Sequence, residues 1–391
     1  MFKIFLRELR RLATTPLYWF MLVGGPVFCT VLLTSLMHEG LPSELPVGVV
    51  DMDRTPTSRN LTRNIDAFQM CRVEAHFATA NEARHAMQRG EIYAFYLIPE
   101  GTTRKLLAQQ QPTVSFYTNP QYLVAASLTY KDMRMMSELM GGAATRSVLT
   151  ARGVDSGQQM GMLQPIVIDC HPIANPSLNY NVYLSNILLP GILSLFFLFM
   201  TVYGIGIEIK EGTDDALMAE AAAGGTVGDW RTAARALFGK LAAQGLGMHV
   251  MAWLLMLYLY GALHFPCHCG LPVMLLVASL FVVASQGLGV LMICALPGLR
   301  MGLSFASLWG VISFSICGMS FPVMSMHPLL QWAAWLFPLR HYYMLYVNSA
   351  LHGGCLASAF PHLASLLIMV SLPLLFLPRL RTILTTYRYV P

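Results

Sequence analysis

The chain has 391 residues, of which 55% are hydrophobic and only 12% are charged. Soluble domains carry about 25% charged residues, so this composition excludes an ordinary soluble protein and predicts an integral membrane protein. The formal net charge of +5 is mild and no basic tract is present, which argues against nucleic acid as a partner. Eight cysteines are too few for a disulfide scaffold in a chain of this length.

The chain begins with an amphipathic segment over residues 2–12. The apolar residues follow the spacing of one helix face, and the basic residues fall mostly off that stripe: Phe2, Phe5, Leu6 and Leu9 against Lys3, Arg7, Arg10 and Arg11. Such a helix lies in the membrane interface with its basic residues towards anionic lipid. A positively charged flank of the first span would have the same composition.

A first apolar run over residues 17–37 has the length of a full span and lacks a clear cleavage site, so it is predicted to be retained. Residues 1–37 are therefore an interfacial helix followed by span 1. The sequence Gly24-Gly25-Pro26 should weaken and kink this span. Close packing against neighbouring helices is the favoured explanation for these residues. The alternative is a functional one, in which the kink acts as a moving gate.

Residues 38–179 are the one soluble-looking region, because short apolar runs alternate there with helical patterns. Strands are predicted at 47–50, 71–77, 92–98, 113–117 and 164–169, and helices at 58–68, 79–89, 102–109 and 122–151. Thr79-Ala80-Asn81-Glu82 has the pattern of a capping box, and Gly141-Gly142 is expected to break the last helix. The alternation predicts an inserted mixed α/β domain with a largely parallel sheet.

Residues 180–391 contain five further apolar runs, at 182–207, 241–263, 271–296, 301–321 and 360–377. With span 1 they predict an α-helical integral membrane protein with six transmembrane helices. Residues 322–346 are rich in aromatic residues and proline, which is typical of the membrane interface. They are predicted to form a short helical hairpin that re-enters the outer leaflet.

The first of these five runs ends abruptly in the charged stretch Glu208-Ile209-Lys210-Glu211-Gly212-Thr213. We interpret residues 208–240 as a hinge at the water boundary, in which Gly212 allows a turn and Thr213 can cap the next helix. Its charged surface is predicted to consist of Glu208, Lys210, Glu211, Asp214 and Asp215. A solvated loop at the end of a span explains the same residues, because charge is common there.

Residues 229–240, at the end of the hinge, have the pattern of a second amphipathic helix. Trp230, Ala234, Leu237 and Leu241 share one face, and the basic residues lie elsewhere on the helix: Arg231, Arg235 and Lys240. An interface anchor would have the same pattern.

Six spans place both termini on one side, and arginine placement selects which side that is. Basic residues cluster on the side of the termini and the hinge: Arg7, Arg10, Arg11, Arg231, Arg235, Lys240, Arg300, Arg379, Arg381 and Arg388. The opposite loop 264–270 has no Lys or Arg, and 322–346 has only Arg340. The termini and hinge are therefore predicted to be cytoplasmic, and residues 38–179 extracytoplasmic.

A second group of charged residues follows the first predicted strand: Asp51, Asp53, Arg54, Ser58 and Arg59. These residues could form a ligand site. A strand-end loop with a helix cap and internal Asp–Arg pairs explains them equally well, and this is the preferred interpretation.

Several catalytic and transport chemistries lack their motifs. No G-x-x-x-x-G-K-[ST] is present, so no ATP site and no bound cofactor are predicted for this chain. The spans are nearly free of ionisable residues, with His249 as the exception, which disfavours an ion-coupled carrier.

The tract from His264 to Cys269 resembles a metal site only in composition, and no metal is predicted. Disulfides remain open for the cysteines on the outer side: Cys71, Cys170, Cys267, Cys269 and Cys355.

The layout resembles the membrane subunit of a type-2 ABC exporter, in the branch with a large extracytoplasmic domain between spans 1 and 2. Four stretches carry the resemblance: Val49 to Arg59 matches the opening of the outer domain, Glu208 to Thr213 the hinge, Gly239-Lys240-Leu241 the entry to span 3, and Phe321-Pro322 to Pro338 the outer hairpin. Two departures are that Asp214-Asp215 and an Ala/Gly-rich segment follow the hinge, and that Gln244 replaces the usual proline-tyrosine region.

The resemblance implies an ATP-driven exporter of the bacterial inner membrane. ATP would be used by a separate cytoplasmic ABC ATPase, which would contact the hinge, and a second permease chain would complete the pore as a homodimer or heterodimer. A periplasmic adaptor and an outer-membrane channel are further expected partners, beside membrane lipid. The apolar spans suit a lipophilic or amphipathic substrate. The alternative is a membrane-bound sensor or assembly scaffold, which needs no ATPase.

Overall fold

The computed structural model describes residues 1–108, 110–164, 171–222, 226 and 229–387. The chain divides into two units by its internal contacts. The helical unit consists of Met1–Gly40 and Pro172–Pro391, and the α/β unit consists of Leu41–His171.

The helical unit contains helices that are long and apolar enough to cross a membrane, as the sequence predicts. In the part of the chain that the structure describes there are six: Pro16–Leu36, Tyr180–Glu211, Trp230–Ala262, Leu271–Ala295, Leu299–Ile316 and Leu356–Thr386, which we call spans 1 to 6. A separate N-terminal helix, Phe2–Thr14, precedes span 1.

Span 1 changes its winding where the sequence predicts a kink. An α-helical turn, Pro16–Trp19, leads into a π-helical segment, Phe20–Gly24, and the α-helix resumes at Gly25–Leu36. Pro26 has no N–H to donate to the preceding turn, which favours a wider turn there. A Cβ added to Gly25 would lie 2.4 Å from the ring of Phe196, so this glycine is explained by close packing against span 2.

Span 2 is a single helix from Tyr180 to Glu211, and the first four residues of the predicted hinge form its last turn. Asn179 caps its beginning by accepting hydrogen bonds from the backbone of Asn181 and Val182. Gly212 ends the helix in a left-handed conformation with φ of +66°, which only glycine adopts at little cost. The turn predicted at Gly212 is confirmed, and a hinge helix, Asp214–Ala222, follows.

The predicted amphipathic helix at 229–240 and span 3 form one continuous element. An α-helix runs over Trp230–Met256 and continues as a π-helical segment over Leu257–Ala262. Spans 4 and 5 follow as Leu271–Ala295 and Leu299–Ile316.

Short helices connect span 5 to span 6, as the sequence predicts for a helical hairpin. A 3₁₀ turn at Val323–Ser325 precedes helices Pro328–Ala334 and Pro338–Leu345. A π-helical turn, Tyr346–Leu351, and a 3₁₀ turn, Leu356–Ala359, then lead into Phe360–Leu375 and Leu377–Thr386.

Among its described residues, the α/β unit contains four strands: β1 Leu45–Asp51, β2 Cys71–Phe77, β3 Ala94–Ile98 and β4 Ser115–Thr118. Their order in the sheet is β2-β1-β3-β4, with β1 parallel to both neighbours and β4 antiparallel to β3. Helix Pro56–Asp66 packs with one face of the sheet through Leu61 and Ile65, and helix Ala80–Gln88 packs with the other face through Ala83 and Ala86.

The remaining helices of the α/β unit are Thr102–Leu107, Leu123–Ala151 and Ser156–Leu163. The expected break at Gly141-Gly142 was wrong, because Leu123–Ala151 is continuous over 29 residues. A glycine in a helix costs only about 1 kcal/mol, which the other residues of a long helix outweigh. The strand predicted over 164–169 lies, apart from Gln164, outside the described residues.

The predicted capping box at Thr79 is present in modified form. The Thr79 hydroxyl accepts from the backbone of Glu82 at 3.3 Å, and the Glu82 carboxylate accepts from the backbone of Ala78 at 3.0 Å. The return bond therefore reaches one residue further upstream than in the standard box.

Candidate functional site: a buried charge network

Three buried ionisable side chains meet where the N-terminal helix, the end of span 2 and the beginning of span 3 come together. Glu8, Glu208 and Lys240 have relative exposures of 1%, 0% and 2%. Apolar side chains, including Ile4 and Leu237, cluster in the same region. An isolated charge is costly in such a setting, so the pairing of these groups decides whether the site is stable.

The Lys240 ammonium bridges the two buried carboxylates. Its Nζ donates to Oε2 of Glu8 at 2.7 Å and to Oε1 of Glu208 at 2.9 Å. The other oxygen of Glu8 accepts from Nε2 of Gln244 at 2.7 Å. Lys240 thereby joins span 3 to both the N-terminal helix and span 2.

Two arginines of the N-terminal helix complete the surroundings of Glu208. Arg7 donates to Oε2 of Glu208 at 3.0 Å, and Arg11 donates to Oε1 at 2.6 Å. The hydroxyl of Thr213 also donates to this carboxylate. We call Glu8, Glu208 and Lys240, with Arg7 and Arg11, the charge network.

The same arginines extend the charge network to partly exposed carboxylates near the hinge. Arg7 contacts Glu220 of the hinge helix at 3.4 Å, and Arg11 contacts Glu211 at 3.1 Å. The pKa of Arg11 is raised: burial of its guanidinium is the largest single effect and lowers it, but the charges of Glu208, Tyr18, Glu8 and Glu211 together favour the charged form more strongly. The charge network therefore links four segments of the helical unit.

The spacing of the N-terminal helix explains how it reaches this position. Ile4, Glu8 and Leu12 are its buried residues, and they lie four residues apart on one face. Most of the predicted apolar stripe faces away, because Phe2, Leu6 and Leu9 are 70%, 47% and 39% exposed, whereas Phe5 is half-buried against the core. One face of the helix therefore packs on the rest of the protein, and most of its apolar stripe is exposed on the other side.

Sequence reasoning missed Glu8, which was not among the candidate residues. A signal was available, since Glu8 is the only acidic residue among the first fourteen and lies midway between Ile4 and Leu12. Gln244, noted as a departure from the family pattern, turns out to hold the carboxylate of Glu8.

The predicted coupling residues divide into buried and exposed groups. The expectation that Glu208 and Asp214 form charged surface was wrong, because both are buried, and Lys240 is buried with them. The Thr213 hydroxyl donates to the carboxylate of Glu208, and its predicted capping of the next helix stays a prediction. The remaining candidates are exposed at this end of the unit: Lys210, Glu211, Gly212, Arg231 and Arg235.

The face predicted for the start of span 3 needs a partial correction. Leu237 and Leu241 are buried and Ala234 is half-buried, but Trp230 is 58% exposed. The guanidinium of Arg231 lies over the Trp230 ring at 5.5 Å. Trp230 is therefore available at the surface beside Arg231, while the residues further along the helix pack inside.

The charged group after β1 forms a local hydrogen-bond system, which we call the strand-end loop. Asp51 accepts from the backbone of Asp53 and Arg54 at 3.0 and 2.9 Å and from the Ser58 hydroxyl at 2.6 Å. Thr55 and Ser58 form the reciprocal capping box of the following helix. The cap interpretation is confirmed in this respect.

The carboxylate of Asp53 is held by hydroxyl groups. It accepts from Thr103 Oγ1 at 2.5 Å and from Thr55 Oγ1 at 2.9 Å. The pKa of Asp53 is lowered, mainly because the Thr103 hydroxyl donates to its carboxylate. Burial acts in the opposite direction and is the smaller effect. The expected Asp–Arg pairs are wrong: Arg54 and Arg59 are exposed, and neither makes an ion pair among the residues that the structure describes.

Two further sequence candidates can be placed. His249 lies in span 3 with its ring Nδ1 2.6 Å from the carbonyl oxygen of Gly245, which supports a hydrogen-bonded structural residue. The Sγ atoms of Cys267 and Cys269 are 3.9 Å apart. Within the described residues, no group of three or more His, Cys, Asp or Glu side chains could hold a metal ion.

The fold and the charge network together indicate the class of protein to which the chain belongs. Six long apolar helices among the described residues, with the charge network at one end of spans 2 and 3, describe a multi-pass membrane protein. A family model described as "ABC-2 family transporter protein" matches residues 16–377.

The chain therefore belongs to the ABC-2 transporter permease family, and the predicted resemblance is confirmed. Such a permease is a membrane transport component, distinct from the ATPase, and works with an ATP-binding subunit. A separate search of curated proteins found no match to the chain.

Proposed function

We propose that this permease couples ATP hydrolysis by a separate cytoplasmic ABC ATPase to the outward movement of a lipophilic or amphipathic substrate. The observation that carries the proposal is the charge network, because it ties the N-terminal helix and hinge helix to the ends of spans 2 and 3. ATP is bound by the partner, and this chain holds no cofactor.

The charge network suits force transmission. Removing one partner from a buried ion pair costs about 3–5 kcal/mol, so a push on one segment is opposed by the contacts with the others. The exposed residues Lys210, Glu211, Arg231 and Arg235 lie in the same segments and offer charged contacts to an ATPase. Displacement at that surface would therefore move the spans together.

The proposed orientation places the termini and the charge network in the cytoplasm of a bacterial inner membrane. The support is the clustering of Arg and Lys at this end and the lack of basic residues in the loop 264–270. The α/β unit would then be extracytoplasmic, where it could dock a periplasmic adaptor that leads to an outer-membrane channel. The helices between 322 and 346 would re-enter the outer leaflet.

A second permease chain would complete the transport path. Span 5 supports this, because its face with Met301, Leu308 and Val311 is 57–59% exposed. The apolar spans are compatible with a lipophilic or amphipathic substrate, which would move between the two chains.

The test separates docking from transmission. Tagged permease is purified from its native membrane in mild detergent, and the eluate is assayed for an ATPase subunit and for vanadate-sensitive hydrolysis. Glu208→Gln should retain the ATPase subunit and lose substrate-stimulated hydrolysis, because Glu208 is fully buried. Glu211→Lys, at an exposed position, should weaken the association itself. Glu39→Lys, exposed elsewhere in the same unit, is the matched control and should change neither.

A clean eluate without any nucleotide-hydrolysing partner, in conditions that preserve other exporters, would contradict the proposal and favour the sensor or scaffold. If a folded Glu208→Gln variant keeps substrate-stimulated ATP hydrolysis, the charge network does not transmit the coupling.

A further inference from the structure

A long apolar groove lies on the helical unit between span 1 and span 3. Its volume is about 630 Å³, and apart from Thr30 and Tyr258 its lining side chains are apolar or small. That volume falls within the range of ligand pockets, about 300–1,000 Å³. The charge network and the proposed ATPase contacts do not use it.

The groove follows the axes of both helices. Residues of span 3 line it at helical spacing from Ala243 to Tyr258, and residues of span 1 line it from Trp19 to Val31. Ala243 and Tyr258 are 15 residues apart, which corresponds to about 22 Å along a helix. One leaflet contributes only about 15 Å of hydrocarbon, so the groove can hold a full acyl chain.

The two spans touch at points that define the groove. A Cβ added to Gly247 would lie 2.8 Å from Leu22, so the helices are in close contact there. At the far end, the hydroxyl groups of Thr34 and Tyr258 are 3.1 Å apart and hydrogen-bonded. The N-terminal helix covers the other end with Leu9, Leu12 and Ala13.

Charge at that covered end indicates an anionic headgroup. Arg10 lies on the N-terminal helix between the groove-lining Leu9 and Leu12, and it is exposed. Arg7 and Arg11 are held by Glu208, whereas Arg10 has no ion-pair partner among the residues that the structure describes. A free guanidinium beside an apolar groove complements a phosphate with an attached acyl chain.

We propose that the groove binds one acyl chain of an anionic phospholipid, with the phosphate beside Arg10. A transmembrane helix is a poorer occupant, because a helix about 10 Å wide over the same length would fill roughly 1,700 Å³. The proposal is independent of ATPase coupling and of the transported substrate. It requires only that the helical unit lies in a bilayer.

Native mass spectrometry of the purified full-length chain tests the site by counting retained lipids. The probes are phosphatidylglycerol and phosphatidylcholine, added in turn to delipidated protein in non-ionic detergent. One phosphatidylglycerol per chain should be retained in preference to phosphatidylcholine. Equal retention of both lipids would overturn the proposal.

Variants matched in exposure locate the lipid. Leu246 lines the groove and is 52% exposed, whereas Leu276 of span 4 is 51% exposed and lies outside it. Leu246→Trp should abolish the retained phosphatidylglycerol, and Leu276→Trp should keep it. Val250→Phe fills the same groove with a smaller side chain and replaces Leu246→Trp if that variant does not fold. Loss of dimers with unchanged lipid would assign the groove to a second copy and overturn the proposal.

The headgroup contact is tested by Arg10→Gln against Arg381→Gln, an exposed arginine of span 6. Because one basic residue near an anionic surface contributes about a five-fold change in binding, Arg10→Gln should weaken phosphatidylglycerol binding by that factor. Arg381→Gln should leave it unchanged. Equal phosphatidylglycerol binding by the two variants would contradict a phosphate position beside Arg10.

Fluorescence gives an independent measurement in detergent. Trp19 lines the groove and Trp253 does not, while the two are similarly exposed, at 53% and 43%. Brominated phosphatidylglycerol should quench a saturable component that is lost in Trp19→Phe and kept in Trp253→Phe. Quenching without saturation would mean bulk contact only and would contradict a defined site.

Discussion

The charge network of the helical unit and the strand-end loop of the α/β unit both collect carboxylates and their donors, but they are built differently. Lys240 and its partner Glu8 are 232 residues apart in the chain, whereas Ser58 reaches Asp51 across seven residues. Glu208 is completely buried, while Asp53 is only partly covered. One cluster joins separate segments, and the other mainly shapes one loop.

The difference shows how far burial changes the effect of similar chemical groups. Buried charges strongly destabilise a protein when a partner is lost, because the remaining charge has no water to replace it. A carboxylate near solvent that loses a donor regains hydration, and its loss is small. Substitutions are therefore expected to change stability most in the charge network and least in the strand-end loop.

The largest effect is expected for Lys240→Met. Removing the ammonium leaves Glu8 and Glu208 in an apolar setting without their shared cation, and we expect a loss of about 3–5 kcal/mol in the free energy of unfolding. Thermal unfolding in detergent measures it. Lys210→Met, at an exposed position only two residues after Glu208, is the control and should stay within about 0.5 kcal/mol. Equal losses would mean that burial does not set the size of the effect.

An intermediate effect of opposite sign is expected at two glycines. Gly212 ends span 2 with a positive φ of +66°, so Gly212→Ala should lower the free energy of unfolding by about 1–2 kcal/mol. Gly141 lies inside the continuous helix Leu123–Ala151 with open space around it, so Gly141→Ala should raise it by about 0.5–1 kcal/mol. Chemical unfolding of the two variants in parallel checks the signs. A stabilising Gly212→Ala would contradict the left-handed end of span 2.

The smallest effect concerns the protonation of Asp53. Its pKa is lower in the folded protein than the ordinary value of 3.8, so its stabilising contribution is complete above that value and is lost as the pH falls through the folded pKa. Hydrogen exchange at the amide of Thr103, which donates to the Asp53 carboxylate, should therefore lose protection in acid beyond the intrinsic pH effect. Asp53→Asn should remove this extra pH dependence, and Glu138→Gln, exposed elsewhere in the unit, should retain it. An unchanged pH profile in Asp53→Asn would assign the effect to another group.

Much of the fold was predictable because the deciding patterns are local. A run of apolar residues long enough to span a bilayer is visible without knowledge of its neighbours, and all six such helices are present among the described residues. The strand at Cys71–Phe77 was predicted with its observed ends, because apolar and polar residues alternate along it. Gly212 likewise acts through its own backbone.

The candidate site was predictable only in part, for the same reason. The charged stretch after span 2 identified Glu208, and the family pattern identified Lys240, but Glu208 was placed at the surface and Lys240 only off the apolar face of its helix. Glu8 was missed because its partner Lys240 comes from a distant helix. The face that the N-terminal helix presents to protein, Ile4 with Glu8 and Leu12, is narrower than its exposed apolar stripe.

The amino-acid sequence by itself determined the membrane class, the number of spanning helices and the family, because hydropathy and motif order are properties of contiguous residues. Only the tertiary structure decided which charges are buried together and which face of the N-terminal helix meets span 3. Those outcomes depend on contacts between residues up to 236 positions apart in the chain. The same charged side chain is a solvated surface group or part of a buried junction according to what packs over it.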